Sequence, residues 1–531
     1  MPEKYKKRMV EIGQKAASMR HAIITPIIDG DSGEVISNEN QLVEALDRSV
    51  EGSVFESIGK GKGTVARIAA NALIPYQRQY GEMPSDEMLA SAYQAIQNGI
   101  EISAGNGPDN MVLESSNLET TEGILMRDRM IALILPVALM SITSRMVSHI
   151  PGHYNQSEIF KVWRVAGSTF GDLTQGEKID HSFNGQYASM DQRHLVKEAD
   201  SEATPTLTGD FEFDSETIFS GVYPFKKQSI KIFHDHNIVA KDDGAGNLHG
   251  SFVVGETTIT VTGTVDYATG NIDPIFSTGP ADGIEIHVGF DVDIEKDPTL
   301  IPVINHEMDS RVIYPHENAI SASTTLQALW ALRREFSMDA DSMAMAAMRN
   351  VLAADRDRKI LRDLYFYSKG ERAWSMVVPT GLYFQEHYET VRETLLEIDA
   401  VLMERTGTSG LVGIVADSKS ATLFKAMKQP FFVPAAGYRR IPQPHYIGKL
   451  FGMWDVFEDP QKSQYKCLCY AKGRGVGEAG YVTGDAIPPM PFRHAIQTDL
   501  KYRNTLWGQA YRDLQPFDGR EYFMDLEIES S

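Results

Sequence analysis

Ser337-Met-Asp-Ala-Asp-Ser-Met-Ala-Met-Ala-Ala-Met-Arg-Asn-Val-Leu-Ala-Ala-Asp-Arg-Asp-Arg-Lys-Ile-Leu-Arg-Asp-Leu-Tyr-Phe-Tyr367 lies in a stretch, 321–369, without glycine or proline. Leu326, Leu329, Trp330, Met338, Met345, Met348, Leu352, Leu361 and Leu364 recur near helical spacing. Ser337-Met-Asp339 offers a cap, so the long helix is expected from Asp339 to Tyr367 rather than from Thr324. At 1.5 Å per residue it would run about 43 Å, about twice the usual three or four turns. A helix of that length is a spine on which other elements pack. Its cations, 356–362, alternate with Asp355, Asp357 and Asp363, the pattern of a solvated, self-paired face. The methionines Met338, Met343, Met345 and Met348 read as flexible core or contact packing.

Downstream, Tyr388, Val391, Leu395, Ile398 and Leu402 form the stripe of a second helix over 386–405, stopped by Gly407. Leu411-Val-Gly-Ile-Val-Ala416 reads as a fully buried strand. Asp417 or Ser418 then caps a helix carrying Leu423, Phe424 and Met427. Strands are expected again at 453–457, 465–470 and 496–502.

Upstream, Thr258-Ile-Thr-Val-Thr-Gly-Thr-Val265, Ile284-Glu-Ile-His-Val288 and Phe290-Asp-Val-Asp-Ile294 alternate with period 2, and Ala268-Thr-Gly-Asn271 is a turn signal. They predict a small antiparallel sheet inserted within 216–316. Ile159-Phe-Lys-Val-Trp-Arg-Val165 reads as a largely buried strand. The polar stretch that follows has few aliphatics and is expected to find its burial on another molecule. Residues 1–125 read as helical and loop-rich. Met88, Leu89, Tyr93 and Ile96 share a helix face between the N-cap Ser85 and the stop Asn98-Gly99, and Gly59-Lys-Gly-Lys-Gly63 reads as a flexible turn.

The 531 residues suggest about three domains. With 42% hydrophobic and 23% charged residues, the chain buries several cores. Lys plus Arg is 51 against 72 Asp plus Glu, a net charge of −21, which argues against a protein that grips a phosphate backbone. Two cysteines, Cys467 and Cys469, exclude a disulfide scaffold and suggest a reducing compartment. Residues 1–20 have no apolar core of a signal peptide. The longest apolar run, 130–140, contains Pro136 and is too short for a bilayer, which needs about 20 residues, so it reads as buried core in a soluble protein.

The short motifs favour plain structural roles. Gly30-Asp-Ser-Gly33 resembles a serine-protease nucleophile motif, but Glu34 replaces the second glycine and the chain order of a triad is wrong, so it reads as a turn. Gly475-Val-Gly-Glu-Ala-Gly480 matches the dinucleotide fingerprint, yet Tyr481-Val-Thr-Gly and Pro488-Pro489 predict strand and turn where a helix is needed. Gly61-Lys62 is followed by Gly63, so no phosphate loop is present there. His234-Asp-His236 reads as a polar strand, and Cys467 and Cys469 as two packed thiols on one strand face. Asp291, Asp293 and Asp297 lack the glycine of a calcium loop and read as an exposed strand face. No catalytic, cofactor-binding or metal-binding residue is assigned.

The order of elements resembles the major capsid proteins of tailed bacteriophages, the Hong Kong 97 fold in its myophage type, over roughly 120–531. The residues that carry the resemblance are Ile284-Glu-Ile-His-Val-Gly-Phe-Asp-Val-Asp-Ile-Glu-Lys-Asp-Pro298 with Ile301-Pro-Val-Ile304, which look like the strand and linker before the spine. The run 320–330 and Ser337-Met-Asp-Ala-Asp341 look like the spine entry. Gly413-Ile-Val-Ala-Asp-Ser418, Gly448-Lys-Leu-Phe-Gly-Met-Trp-Asp-Val-Phe457, Tyr470-Ala-Lys-Gly and Ala479-Gly-Tyr-Val482 look like the axial domain, and Pro489-Met-Pro491 like the strand returning to the peripheral domain.

The resemblance implies an α+β fold divided as an N-terminal helical arm or extension (1–120), the start of the peripheral domain (121–154), an extended loop (155–210), a β-rich insertion and return (211–316), a peripheral domain with the spine helix (317–405), an axial domain (406–490) and a C-terminal peripheral strand (491–531). It implies a structural subunit, not an enzyme, that self-assembles into hexamers and pentamers of an icosahedral head enclosing double-stranded DNA. Scaffold, portal and decoration proteins would be partners, without sequence-specific DNA binding or a membrane. Assembly would take place in the host cytoplasm and the mature location would be the virion. One member of the family carries a Lys–Asn cross-link; Lys178 and Asn184 lie in the loop, and nothing in the sequence marks either for it. The competing readings are a pentameric vertex paralogue and, in a different class, a soluble hydrolase built on the strand–helix domain.

Overall fold

The computed structural model describes residues 3–28, 44–46, 48–49, 53–56, 62–103, 134–179, 185–197, 209–210, 213–214, 222–278, 284–335, 340–381, 383–463, 465–493 and 501–529. It contains two units, one of residues 1–161 with 309–531 and one of 162–308.

In the first unit, α1 (Glu3–Met19), α2 (Lys62–Tyr80) and α3 (Asp86–Ser103) open the chain. Ser85 Oγ accepts the amide of Met88 at 3.4 Å, the expected N-cap, but α3 continues four residues beyond Gly99. Tertiary support carries it through: buried Asn98 donates from Nδ2 to the carbonyls of Gly152 (3.0 Å) and Ala486 (2.7 Å). Lys62 and Gly63, expected in a turn, begin α2 instead. These helices are not a free arm. Met19, Ile23, Leu73 and Leu89 are fully buried in one core with Ile414, Val456 and Leu468. The apolar run enters the same core through Ile134, Leu135 and Leu139 in a helical segment at 134–140, whereas Met140 is exposed.

Strand β1 (Ser148–His149) precedes β2 (Ser157–Ala166), which is buried at both ends and half-buried in its middle, with Arg164 exposed. The second unit then holds β3 (Asp191–Lys197), β4 (Gly209–Asp210), β5 (Phe213–Asp214), β6 (Lys231–His234), β7 (Asn237–Asp242), β8 (Asn247–Val254), β9 (Thr257–Asp266), β10 (Asn271–Phe276) and β11 (Ile286–Asp291). They form one sheet of order β3-β11-β6-β7-β8-β9-β10-β4, with β5 on β10, antiparallel at each pairing. The two alternating runs at 284–294 are thus one strand.

The polar stretch after β2 does find burial inside this unit. Phe170, Leu173 and Tyr187 lie in one core with Phe225, Val288 and Phe290. Tyr187 Oη donates to the carbonyls of Val303 (2.7 Å) and Ser168 (3.1 Å). Two aromatic rings and one leucine anchor what a count of aliphatics misses, because an aromatic side chain buries a large area.

The chain returns through β12 (Ile304–Ile313), which pairs with β2, and β13 (His316–Thr325). Helix α4 (Leu326–Glu335) precedes the spine, α5 (Ala340–Tyr367), whose described part begins one residue after the expected start and ends where expected; the 337–339 cap lies outside the described residues. Strand β14 (Glu371–Ser375) leads to α6 (Phe384–Glu389) and α7 (Val391–Thr406). The single helix expected at 386–405 is broken at Thr390, whose hydroxyl binds the His387 carbonyl (2.6 Å) and accepts from Trp374 Nε1 (2.9 Å). The stripe Val391, Leu395, Ile398 and Leu402 is buried as expected, and Gly407 closes α7 at φ 64°, a left-handed position that suits glycine.

Strand β15 (Leu411–Ala416) is buried, and Asp417 caps α8 (Ser418–Ala426) by accepting from the amides of Lys419 and Ser420. Then follow β16 (Phe432–Pro434), β17 (His445–Leu450), β18 (Trp454–Glu458), β19 (Lys466–Ala471), β20 (Tyr481–Arg493), β21 (Lys501–Leu514) and β22 (Phe523–Glu529). A seven-stranded mixed sheet runs β14-β22-β19-β15-β18-β17-β16, and a four-stranded one β1-β20-β21-β13. The C-terminal segment, expected as a peripheral strand, divides between the two: β21 joins the second and β22 the first. Residues 496–500 of the expected 496–502 strand lie outside the described residues, and β21 runs on to Leu514. The fold is therefore α+β.

Candidate functional site

Helix α5 packs on β13 and β21. Met345 and Met348 face fully buried Leu506 of β21, with Ile320 and Ala322 of β13 packed alongside. Leu352, one turn on, is half-buried. Strand β20 carries Pro488 and Pro489 at a register shift between Ile487 and Met490. Proline has no amide to donate, so the ladder tolerates it at a bulge.

The charged part of α5 is not a self-paired solvent face. Arg356 Nη1 donates to both oxygens of Asp485 on β20 (3.0 and 3.1 Å), and Nη2 donates to Thr483 Oγ1 (3.0 Å). Asp357 accepts from Ser141 Oγ (2.5 Å) and Thr143 Oγ1 (3.0 Å), and burial raises its pKa. Asp363 accepts from Tyr481 Oη (2.7 Å) as well as from Lys359, the one expected pair on the helix itself.

A second polar cluster explains the glycine-rich segment. The amide of Gly475 donates to Glu478 Oε2 (2.7 Å), that of Gly473 to the Glu478 carbonyl (2.6 Å), and that of Gly477 to Ser148 Oγ (3.0 Å). The loop thus satisfies its donors within the protein, and β20 rather than a helix follows it, as the sequence predicts. Beside it, Glu87 accepts from Ser148 Oγ (2.8 Å) and the His149 amide (3.2 Å). Lys472 donates to the Val147 carbonyl (2.7 Å). Burial raises the Glu87 carboxyl and lowers the Lys472 ammonium, and it holds the His149 imidazole down at about 3, so that ring is neutral.

The other motif residues do not assemble into chemistry. His234 is buried at the end of β6 with its ring 4.6 Å from that of Phe252, whereas Asp235 takes a positive φ and His236 is exposed. This is a hairpin turn rather than a polar strand, and the two histidines do not share a face. Asp293 and Asp297 cap short turns through the amides of Glu295 and Thr299, not a strand face. Cys467 and Cys469 are buried free thiols on β19; burial pushes Cys467 up to about 12 and Cys469 well above its usual value, which suppresses thiolate chemistry. Lys178 lies over the Trp163 ring at 4.9 Å. Gly30-Asp-Ser-Gly33 and Asn184 lie outside the described residues. Among the described residues, no group of three or more His, Cys, Asp or Glu could hold a metal ion, and no helix is long and apolar enough to cross a membrane.

What the first unit does expose is apolar side chains along the spine. Trp330 of α4 is 67% exposed, and Met343, Val351 and Phe366 of α5 are 51%, 54% and 79% exposed. Met343, Ala347 and Val351 recur every fourth residue, so they form one stripe on the side away from Met345 and Met348. Strand β12 is exposed at most positions, Ile304 and Val312 among them. No signal in the sequence separated these from core residues.

Residues 1–141 match a family described as a domain of unknown function (DUF8615). Protein IncB of Escherichia coli is 28% identical over 173 residues, covering 31% of this chain and 83% of that protein. Among solved structures, the chain is similar to that of Gordonia phage Cozz (TM-score 0.29, 8% identity, 43% of this chain and 74% of that one). It is also similar to the SrpI encapsulin complex of Synechococcus elongatus (TM-score 0.30, 9% identity, 44% and 79%) and to the capsid of Myoviridae phage XM1 (TM-score 0.28, 9% identity, 63% and 96%). TM-scores of this size decide nothing about this chain.

Proposed function

We propose that this chain is a structural, non-enzymatic subunit that assembles with copies of itself into a closed shell of the capsid type. The observation that carries the reading is the spine. Helix α5 buries one side on the β13 and β21 strands and leaves a second apolar stripe, Met343, Ala347 and Val351, open, and Trp330 of α4 and Phe366 near the end of α5 are exposed apolar side chains as well. Contiguous exposed apolar side chains mark an association surface. A subunit in a ring needs two complementary surfaces of this kind rather than a pocket. The order of spine, buried strand and capped helix agrees with the resemblance read in the sequence.

In this reading the spine belongs to a peripheral domain (317–405) and β15 to β19 to an axial domain (406–490). Hexamers and pentamers make an icosahedral head around double-stranded DNA, within the virion. The net charge of −21, repeated over a lattice, keeps phosphates from adhering to the wall. Scaffold, portal and decoration proteins complete the assembly. The test is the native mass of purified material by sedimentation, with negative-stain images of the same fractions. Shells in the megadalton range are expected. A homogeneous species of one to a few subunits under all assembly conditions tried would overturn the reading.

A further inference from the structure

Between α5 and the bulged part of β20 lies a cavity of about 60 Å³. Its walls are mostly apolar, with Leu352, Ala353, Pro489 and Leu506 among them, and two arginines, Arg349 and Arg356, are among the residues that line it. They differ in one respect. The fork of Arg356 is filled by Asp485 and Thr483. Arg349 Nε is buried without a hydrogen-bond partner among the described residues, and Arg349 makes no ion pair there. The lining therefore holds two cations and one carboxylate, Asp485, an excess of one positive charge in a chain that is otherwise strongly acidic.

We propose that this cavity binds a short-chain monocarboxylate, with its carboxylate on the Arg349 guanidinium and its hydrocarbon part against Leu352, Ala353 and Leu506. A guanidinium matches a carboxylate in two parallel hydrogen bonds, and a buried donor without an acceptor is costly to leave so. The apolar walls select against an anion that is polar all round, because a phosphate would lose hydration there without replacement. Size sets the chain length. The cavity is less than half of the roughly 150 Å³ that accommodates benzene, so about two to four carbons fit. This site is independent of the assembly reading, since a subunit of any function could carry it.

The test is calorimetric titration of the full chain with sodium propionate at constant ionic strength, with sodium chloride and inorganic phosphate as comparison titrants. Saturable propionate binding at about 1 mM or tighter is expected, within the ceiling for a ligand of about five heavy atoms. Arg349→Met keeps the aliphatic stem and should weaken binding at least tenfold with an unchanged circular dichroism spectrum. Ala353→Leu fills the apolar end with Arg349 intact and should do the same. Equal heats in the wild type and Arg349→Met, no saturable heat, or phosphate binding more tightly than propionate would each overturn the proposal.

Discussion

Arg356 of the spine helix and Asp485 of β20, 129 residues apart in the chain, meet with Nη1 3.0 and 3.1 Å from the two carboxylate oxygens. Both side chains are more than four-fifths removed from solvent. Removing one partner of such a pair leaves a charge with little water around it, which costs about 3 kcal/mol or more. Asp485→Ala should lower the unfolding free energy by that much. The double variant Arg356→Met, Asp485→Leu should recover at least half of the loss. Urea denaturation of the two variants checks it, and a double variant no more stable than Asp485→Ala would show that the pair is not coupled.

Met348 is 3% exposed and sits on fully buried Leu506. Met348→Asp would bury an unpaired carboxylate and should cost several kcal/mol. Leu352→Asp, one turn away and half-buried, should cost distinctly less. Soluble yield and thermal midpoints rank the two; the reverse ranking would mean that α5 presents a different face to the sheet.

Burial raises the pKa of Glu87, and its Oε1 has no hydrogen-bond partner among the described residues. The folded chain therefore holds this proton more tightly than the unfolded chain. Stability from this group is present below the ordinary carboxyl pKa and falls as the pH rises towards the raised one. Lys472, also buried, faces it with a lowered pKa. Glu87→Gln should remove that loss, so the difference in unfolding midpoint between variant and wild type should grow as the pH rises above the ordinary carboxyl range. A difference that does not change with pH counts against the assignment.

Tyr187 ties the polar stretch of the second unit to Val303 through its hydroxyl and to the aromatic core through its ring. Tyr187→Ala should destabilise this unit by about 3–5 kcal/mol, as truncation of large buried rings does. Limited proteolysis should then cut within 162–308 first. Unchanged protection would place the burial of this stretch elsewhere.

Trp330 and Val351 are exposed and support no core. Val351→Asp and Trp330→Asp should leave the unfolding free energy within about 0.5 kcal/mol of wild type, the usual range for surface changes, while abolishing large particles. Sedimentation and electron microscopy read the outcome. Normal particles from both variants would remove the spine stripe from the assembly surface.

Local signals account for what was legible in the residues. The 3.6-residue period and the absence of glycine and proline mark α5, the Leu395 to Leu402 stripe marks α7 with Gly407 at its end, and Asp417 marks the start of α8. Period-2 alternation marks β9, and the residues after Gly480 mark a strand, β20, rather than a helix. Each of these depends on atoms within a few residues of one another, so composition and spacing suffice.

Partners far along the chain were decided only by tertiary structure. The alternating charges of α5 read as self-paired, yet Asp357 is held by Ser141 and Thr143, more than 200 residues away. Residues 1–120 read as a helical arm or extension, and only the packing shows Leu73 and Leu89 closing the same core as Ile414 and Val456. Thr390, whose hydroxyl is claimed by Trp374 and the His387 carbonyl, divides the expected helix while its apolar stripe stays buried. A side chain's preference for burial or pairing is written in its chemistry. Which distant group satisfies it is not, because that depends on how the elements pack in three dimensions.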